Sequence, residues 1–301
     1  MVDRKPNFFI VGAPKCGTTA LYEYLNTHPN IFLPKVKEPY YFYTHKDKMR
    51  YAMHSMEEYL KLYEPAPGII TSFGDASVFY LMDHPSHQRI KAFNSEARII
   101  VMVRNPLDMA YALHSQYIFE GWEDVHDFET AWRLQIARES GDGIPKPCPD
   151  RSLLQYRNVC LNGLHISKLL ETFPTERVLV VVFDDFISDT LAVYKKVLDF
   201  MGEPFDGRTS FPPVNESRFW KHQSLLTILE TVKGPWMKIK QMAGIQETGA
   251  WAFIKSIMTE KRARKKLPRE FREVLLAEFS ADISKLENIT RRDLSTWKKI
   301  N

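Results

Sequence analysis

The chain has 301 residues, 44% of them apolar, with 41 basic and 37 acidic side chains and a formal charge of +4. That balance excludes disorder, which needs low hydrophobicity and high net charge. The positive excess is too small to argue for a nucleic-acid partner, though it suits an anionic ligand. Three cysteines, Cys16, Cys148 and Cys160, are no disulfide framework. A reducing compartment is the simpler reading. No signal-peptide pattern is present. The longest aliphatic run, residues 178–183, is far short of the ~20 residues that span a bilayer. A soluble, cytoplasmic protein without a transmembrane segment is expected.

The first predicted element is a buried parallel strand at 8–11, a continuous rather than alternating apolar run. A helix follows from 18 to about 26, with Leu21 and Leu25 on one face. A lysine- and proline-rich loop spans 33–39. A weaker strand signal covers 69–73. A clear strand at 99–103 leads into a helix at 106–119. Further helices are expected at 128–139, 153–172 and 190–201, with a strand at 178–183. Proline-rich loops fill 141–150 and 203–216. Strands alternating with helices argue a doubly wound α/β sheet. No composition shift divides the chain, so 1–301 reads as one domain with a mostly helical C-terminal part from about 220. The only charge run is basic, from Lys255 to Arg272, and reads as a solvated helix.

The strongest local signal is Gly12-Ala13-Pro14-Lys15-Cys16-Gly17-Thr18-Thr19, between a strand and a helix. There, backbone N–H groups and a helix N-terminus can bind an anion. Gly12 and Gly17 have the Walker spacing, and Thr19 sits at the Mg²⁺-binding hydroxyl position, which makes the sheet P-loop-like. Thr18 occupies the lysine position, however, and the loop's lysine is Lys15. The Walker lysine reaches the β/γ-phosphates of a triphosphate. A lysine earlier in the loop suits a shorter, diester-like anion. The bland alternative is an ordinary strand–turn–helix corner.

Residues 14–21 resemble the 5′-phosphosulfate loop of sulfotransferases that use 3′-phosphoadenosine 5′-phosphosulfate (PAPS). Glycan-modifying members and related bacterial enzymes read P-K-x-G-T-T-x-L there. The resemblance implies donor contacts from Cys16, Gly17, Thr18 and Thr19, with Lys15 beside the bridging oxygen that leaves.

Residues 34–42, Pro-Lys-Val-Lys-Glu-Pro-Tyr-Tyr-Phe, resemble the same family's K-E-P-x-[YF]-F segment, which implies Glu38 as general base. Acceptor attack requires proton removal, and a positioned carboxylate can perform it. Lys35 and Lys37 favour its ionised form, whereas Tyr40, Tyr41 and Phe42 would desolvate it. The sequence leaves open which effect prevails, and a plain surface Glu–Pro loop is the alternative.

Arg104 ends the 99–103 strand, where open α/β sheets bind ligands. Asn105 suits an N-cap, Pro106 the first helical position and Asp108 the first turn. Arg104 can grip a phosphate with two N–H groups, or pair locally with Asp108. The segment resembles the family's 3′-phosphate motif, R-[ND]-P-x-[DT]-x-A-x-S. Ala112 stands where the family has serine, and Ser115, one turn on, is the substitute considered.

Asn215 to Arg218 resembles the family's N-x-[ST]-[KR] segment, implying a phosphate contact from Arg218. Phe219 or Trp220 would stack on adenine, or pack in a core. Asp75 and Ser77 occupy the place of a substrate-side segment, and Tyr156 is placed loosely near the nucleotide. His84 and His87 lack metal-ligand spacing. His114 is the reserve base. The resemblance thus implies in-line sulfuryl transfer from PAPS to a hydroxyl or amine, giving 3′-phosphoadenosine 5′-phosphate (PAP), with no metal required. A sugar, a small natural product, a lipid and a carrier-bound chain are open as acceptors. The alternatives are a P-loop-type kinase using ATP–Mg²⁺ and a non-enzymatic interaction protein acting through the basic tail.

Overall fold

The computed structural model describes residues 4–49, 51–67, 70–214 and 266–300, and the backbone of 218–220 and 259–261. The chain divides into two compact units, Met1–Val214 with Leu267–Asn301, and Asn215–Lys266.

The first unit is built on five strands: β1 (Phe8–Gly12), β2 (Ile31–Phe32), β3 (Ser72–Asp75), β4 (Arg98–Val103) and β5 (Val178–Val182). All neighbours are parallel, in the order β2-β3-β1-β4-β5. Both faces of the central strands are covered, so every β1 residue and the last five of β4 are buried. This is the burial that a continuous apolar run encodes. At the β5 edge, Val178 to Val180 are only half-buried.

The chain leaves β1 for one half of the sheet and returns through β4 to the other. The strand order therefore reverses at β1, where open α/β sheets open a crevice at the carboxyl ends. Register is regular from Phe9↔Ile99 to Ile10↔Ile100, then slips so that Gly12 faces Val101. The slip re-aims the chain just before its first loop.

The helices are α1 (Thr18–Leu25), α2 (Met56–Lys61), α3 (His84–Phe93), α4 (Pro106–Glu120), α5 (Phe128–Arg133), α6 (Gln135–Glu139), α7 (Tyr156–Val159), α8 (Asn162–Leu170), α9 (Phe183–Ser188), α10 (Thr190–Met201) and α11 (Arg269–Thr290). Among the described residues no helix is long and apolar enough to cross a membrane.

Three expectations are revised. The helix expected over 128–139 divides at Leu134, which is both the C-cap of α5 and the N-cap of α6. The helix expected over 153–172 breaks where Leu161 leaves the helical region, with ψ 66. That break lets α8 dock end-on: the Asp282 carboxylate, from α11, accepts from Gly163 N at 2.8 Å and Leu164 N at 2.7 Å. A negative charge at a helix N-terminus is favourable and satisfies donors the helix cannot. The third revision concerns the second unit. Residues 259–261, expected within a basic helix, form strand β7 (Thr259–Lys261), antiparallel to β6 (Arg218–Trp220). Pairing between segments about forty residues apart in sequence is invisible to local composition.

The α8–α11 contact is close at Gly163. A Cβ there would lie 2.5 Å from the Asp282 carbonyl oxygen and 3.1 Å from Leu286 N. Gly163→Ala should therefore destabilise the fold by ~1–3 kcal/mol, the usual cost of overpacking. Urea denaturation should show a lower midpoint at unchanged slope. An unchanged midpoint would contradict the close approach.

Candidate active site

The first loop is a tight turn between β1 and α1. Lys15 and Gly17 both take left-handed backbone conformations, with φ 62 and 88. For a lysine this costs ~1–2 kcal/mol, a strain that persists only where surroundings enforce it. Gly17 is the N-cap of α1 and brings no side-chain cap. The positive end of the helix is therefore left to another acceptor. Glycine is required there: a Cβ would lie 2.9 Å from Phe183 Cε2.

Arg104 comes to the same place from β4. Its Nη1 donates to the Lys15 carbonyl at 3.4 Å, and its guanidinium carbon sits 4.9 Å from the Phe183 ring centre. Asp108 does not pair with Arg104; it faces Arg272 of α11 at 3.6 Å. Asn105 caps α4 as expected, accepting from Leu107 N at 3.0 Å. Lys15 Nζ donates to Gln116 Oε1 at 3.0 Å. Two cations thus converge on one helix N-terminus.

Cys16 is buried inside the loop, donating to the Pro14 carbonyl at 3.4 Å. Burial pushes its thiol up to about 12, against the lowering pull of Arg104 and Lys15. A neutral thiol is neither nucleophile nor anion competitor here. Thr18 is buried and Thr19 half-buried at the start of α1. Ala112 is buried. Ser115 donates to the Tyr111 carbonyl at 2.9 Å, within its own helix.

The second loop carries Glu38, with φ 64, and Tyr40, with φ 48, on either side of Pro39. Lys37 Nζ donates to Glu38 Oε1 at 2.5 Å, and the Tyr40 phenol donates to Oε2. Tyr40 is buried and stacked on Phe79, ring centres 5.6 Å apart. Burial, then the Glu38 charge, pushes its phenol up, so it stays a donor. The Tyr40 amide donates to Ser77 Oγ at 3.3 Å, and Ser77 donates to Asp75 Oδ1 at 2.7 Å.

The two loops share a support. β3 pairs with β1, Phe8 opposite Gly74 and Phe9 opposite Asp75. Just beyond β3, Leu81 N donates to the Val11 carbonyl at 2.8 Å. Residues 75–81 thus contact the end of β1 through Leu81 and the Glu38 loop through Ser77.

Other expected residues lie elsewhere. His114 is buried, its Nε2 2.8 Å from the Val125 carbonyl, and burial lowers its pKa. It is a packing histidine rather than a base. Tyr156 is buried and donates to Glu123 at 2.7 Å, beside the fully buried Arg138–Glu123 pair. It belongs to that core network. Arg218 opens β6; its side chain and those of Phe219 and Trp220 lie outside the described residues, as do Lys255, Arg262, Arg264 and Lys265 of the basic run. Among the described residues no cluster of three or more His, Cys, Asp or Glu is arranged to hold a metal.

Sequence reasoning missed Gln116 and Phe183. Gln116 stands four and eight residues beyond Ala112 and Asp108, on one helical face. That spacing from the arginine motif is the signal that would have found it. Phe183 offered none, because its contacts to Gly17 and Arg104 are tertiary.

A family model described as sulfotransferase domain matches residues 5–280. Mouse bifunctional heparan sulfate N-deacetylase/N-sulfotransferase 4 is 29% identical over 210 residues, covering 66% of this chain and 22% of that protein. Mouse carbohydrate sulfotransferase 15 is 25% identical over 247 residues, covering 65% of this chain and 43% of that protein. The match therefore spans less than half of either relative. The crystal structure of a sulfotransferase from Alicyclobacillus acidocaldarius aligns with TM-score 0.70 and 26% identity, covering 98% of this chain and 99% of that chain.

Asp75 gives the site a pH signature. Burial pushes its carboxyl up to about 6, although hydroxyls of Ser77, Tyr59 and Tyr80 pull it down. The ordinary value is ~3.9, so folding favours the protonated form. That contribution is fully present below about pH 4 and is lost as pH rises through about 6. The stability of the wild type minus that of Asp75→Asn should fall across this window, by up to ~3 kcal/mol. Urea denaturation at stepped pH measures it. A pH-independent difference would contradict the assignment.

Proposed function

The chain belongs to the sulfotransferase domain family, and from that premise we propose that it moves a sulfuryl group from PAPS to an acceptor hydroxyl or amine by in-line displacement, leaving PAP. The observation that carries the proposal is the convergence of Lys15 and Arg104 on the α1 N-terminus, whose N-cap, Gly17, brings no side-chain cap. That array matches a nucleotide with anionic groups at two positions, held by backbone donors, an ammonium and a guanidinium.

PAPS, when bound, supplies an electrophilic sulfur and a phosphate leaving group. The protein does the rest with fixed charge and position. The N–H groups of Cys16, Gly17, Thr18 and Thr19, with the two threonine hydroxyls, receive the 5′-phosphosulfate. Lys15 leaves the neutral Gln116 amide and donates to the bridging oxygen as charge grows there, the kind of stabilisation that is usually the largest in such sites. Arg104 grips the 3′-phosphate and so fixes the register of the donor. Ser115 joins it by exchanging its bond to the Tyr111 carbonyl for one to the phosphate. Glu38 takes the acceptor proton. Lys37 holds the Glu38 carboxylate by an ion pair at 2.5 Å. No step in this scheme requires a metal. The relatives are named for heparan sulfate and carbohydrate, which supports a sugar hydroxyl or amine as the first acceptor class to try.

Two measurements test the reading. In a thermal-shift screen, saturating PAP should raise the melting temperature, because a ligand at ~100 Kd adds ~2.7 kcal/mol to the native state. ATP–Mg²⁺ should do less; the reverse order would favour a kinase. In sulfuryl-transfer assays on sugar, phenol and alcohol acceptors, Lys15→Ala should lose ~10²–10³-fold in turnover, as removed oxyanion donors do. Glu38→Gln should lose ~10²–10⁴-fold. Near-wild-type turnover in either variant would overturn that residue's role.

A further inference from the structure

Asp75 is a carboxylate with 0% exposure at the end of a central-sheet strand. Burying such a group is costly unless it is well bonded. Three hydroxyls donate to it: Ser77 at 2.7 Å, Tyr59 at 2.8 Å and Tyr80 at 3.1 Å. Above about pH 6 the carboxyl is ionised, and as an acceptor-only group it then forces each of those hydroxyls to point its hydrogen inward. Their lone pairs are then committed outward.

Two of those outward lone pairs land on one segment. Ser77 Oγ accepts from Tyr40 N at 3.3 Å, and the Tyr80 hydroxyl accepts from Phe42 N at 3.2 Å. Asp75 thus sends two hydrogen-bonded relays to backbone N–H groups two and four residues beyond Glu38. The segment needs holding, because Glu38 and Tyr40 both sit in the left-handed region without being glycine. Strain of this kind concentrates where geometry serves a function. The relay ends on the carboxylate itself, since the Tyr40 phenol donates to Glu38 Oε2.

We propose that Asp75 is a positioning residue for sulfuryl transfer: through the hydroxyls of Ser77 and Tyr80 it fixes the Tyr40 and Phe42 amides, and so holds the Glu38 carboxylate in the orientation that accepts the proton. The inference deepens the proposed role of Glu38 and rests on it. The relays run at hydrogen-bond distances throughout, and each has one polarity that only an acceptor at position 75 imposes. Asparagine at 75 would present an N–H₂ group to one of the hydroxyls, which would then lose the acceptor that fixes its hydrogen.

The test is a set of variants, Asp75→Asn, Ser77→Ala and Tyr80→Phe, each measured for turnover with PAPS, for KM of PAPS and for PAP affinity. Hydrogen exchange across residues 38–43 is followed in parallel. Asp75→Asn should lower kcat by ~10–100-fold, the scale of a displaced reacting group. KM of PAPS and PAP affinity should stay within about twofold, since the phosphate loop is untouched. Ser77→Ala should lower kcat less, and add little once Asp75 is already asparagine, because residues acting as one relay are not additive. Amide exchange should quicken at Tyr40 and Phe42 in Asp75→Asn, at Tyr40 in Ser77→Ala and at Phe42 in Tyr80→Phe. If PAP affinity falls in step with kcat, Asp75 only supports the fold and the inference is overturned. It is likewise overturned by normal kcat with normal exchange in Ser77→Ala, a mild variant expected to fold. Glu38→Gln separates the two readings: an active Glu38→Gln removes the base, whereas an inactive one beside a fully active Asp75→Asn removes the positioning role alone.

Discussion

The hydrogen bond from Arg104 to the Lys15 carbonyl is the join on which the site depends. It ties the end of β4 to the turn after β1 and sets a guanidinium beside a helix N-terminus. Phe183 backs the arrangement, touching the space beside Gly17 and facing the guanidinium. Asp108, the carboxylate nearest Arg104 in sequence, faces Arg272 instead. Positive charge is therefore concentrated where the helix is uncapped, and an anion is the natural complement.

The sheet makes this possible. Reversal of the strand order at β1 places the carboxyl ends of β3, β1 and β4 side by side. β1 supplies the turn from Gly12 to Thr19, β4 leads to Arg104, and β3 supplies Asp75 and the segment that supports the Glu38 loop. Chemistry drawn from three distant stretches of chain becomes local because three parallel strands end together. A shared support at residues 75–81 also means that a disturbance there reaches both the Glu38 loop and the end of β1.

Much of this was legible in the sequence, for physical reasons that differ by element. β1, β4 and β5 are continuous apolar runs because both faces of a parallel sheet are covered, and the expected strands end within a residue of those observed. The helix at Thr190–Met201 is bounded by Asp189, which caps it, and Gly202, which ends it in the left-handed region. Both signals are local. Elements defined by partners were legible only in part: the weak strand signal at 69–73 overlaps the start of β3. β2 has two residues, and β3 ends in a buried aspartate that composition would never place in a strand. The basic run expected as a helix covers only the first turn of α11, whose Phe271, Leu275, Phe279, Ile283 and Leu286 form a buried helical stripe. In the site, Arg104 donates to the Lys15 carbonyl across 89 residues of chain. Two things escaped: the Tyr40 phenol as a donor to the Glu38 carboxylate, and the engagement of Ser115 within its own helix. Hydrogen-bond direction is a tertiary property.

The central claim is that the turn from Gly12 to Thr19 and Arg104 together bind a bisphosphorylated nucleotide by protein charge alone. Calorimetric titration of PAP in buffer containing a chelator tests it most directly. The account predicts one-to-one binding without Mg²⁺, weakened at least ~10-fold by Arg104→Ala, the scale of a lost charge-assisted hydrogen bond. Binding that requires Mg²⁺, or that is indifferent to Arg104→Ala, would contradict it.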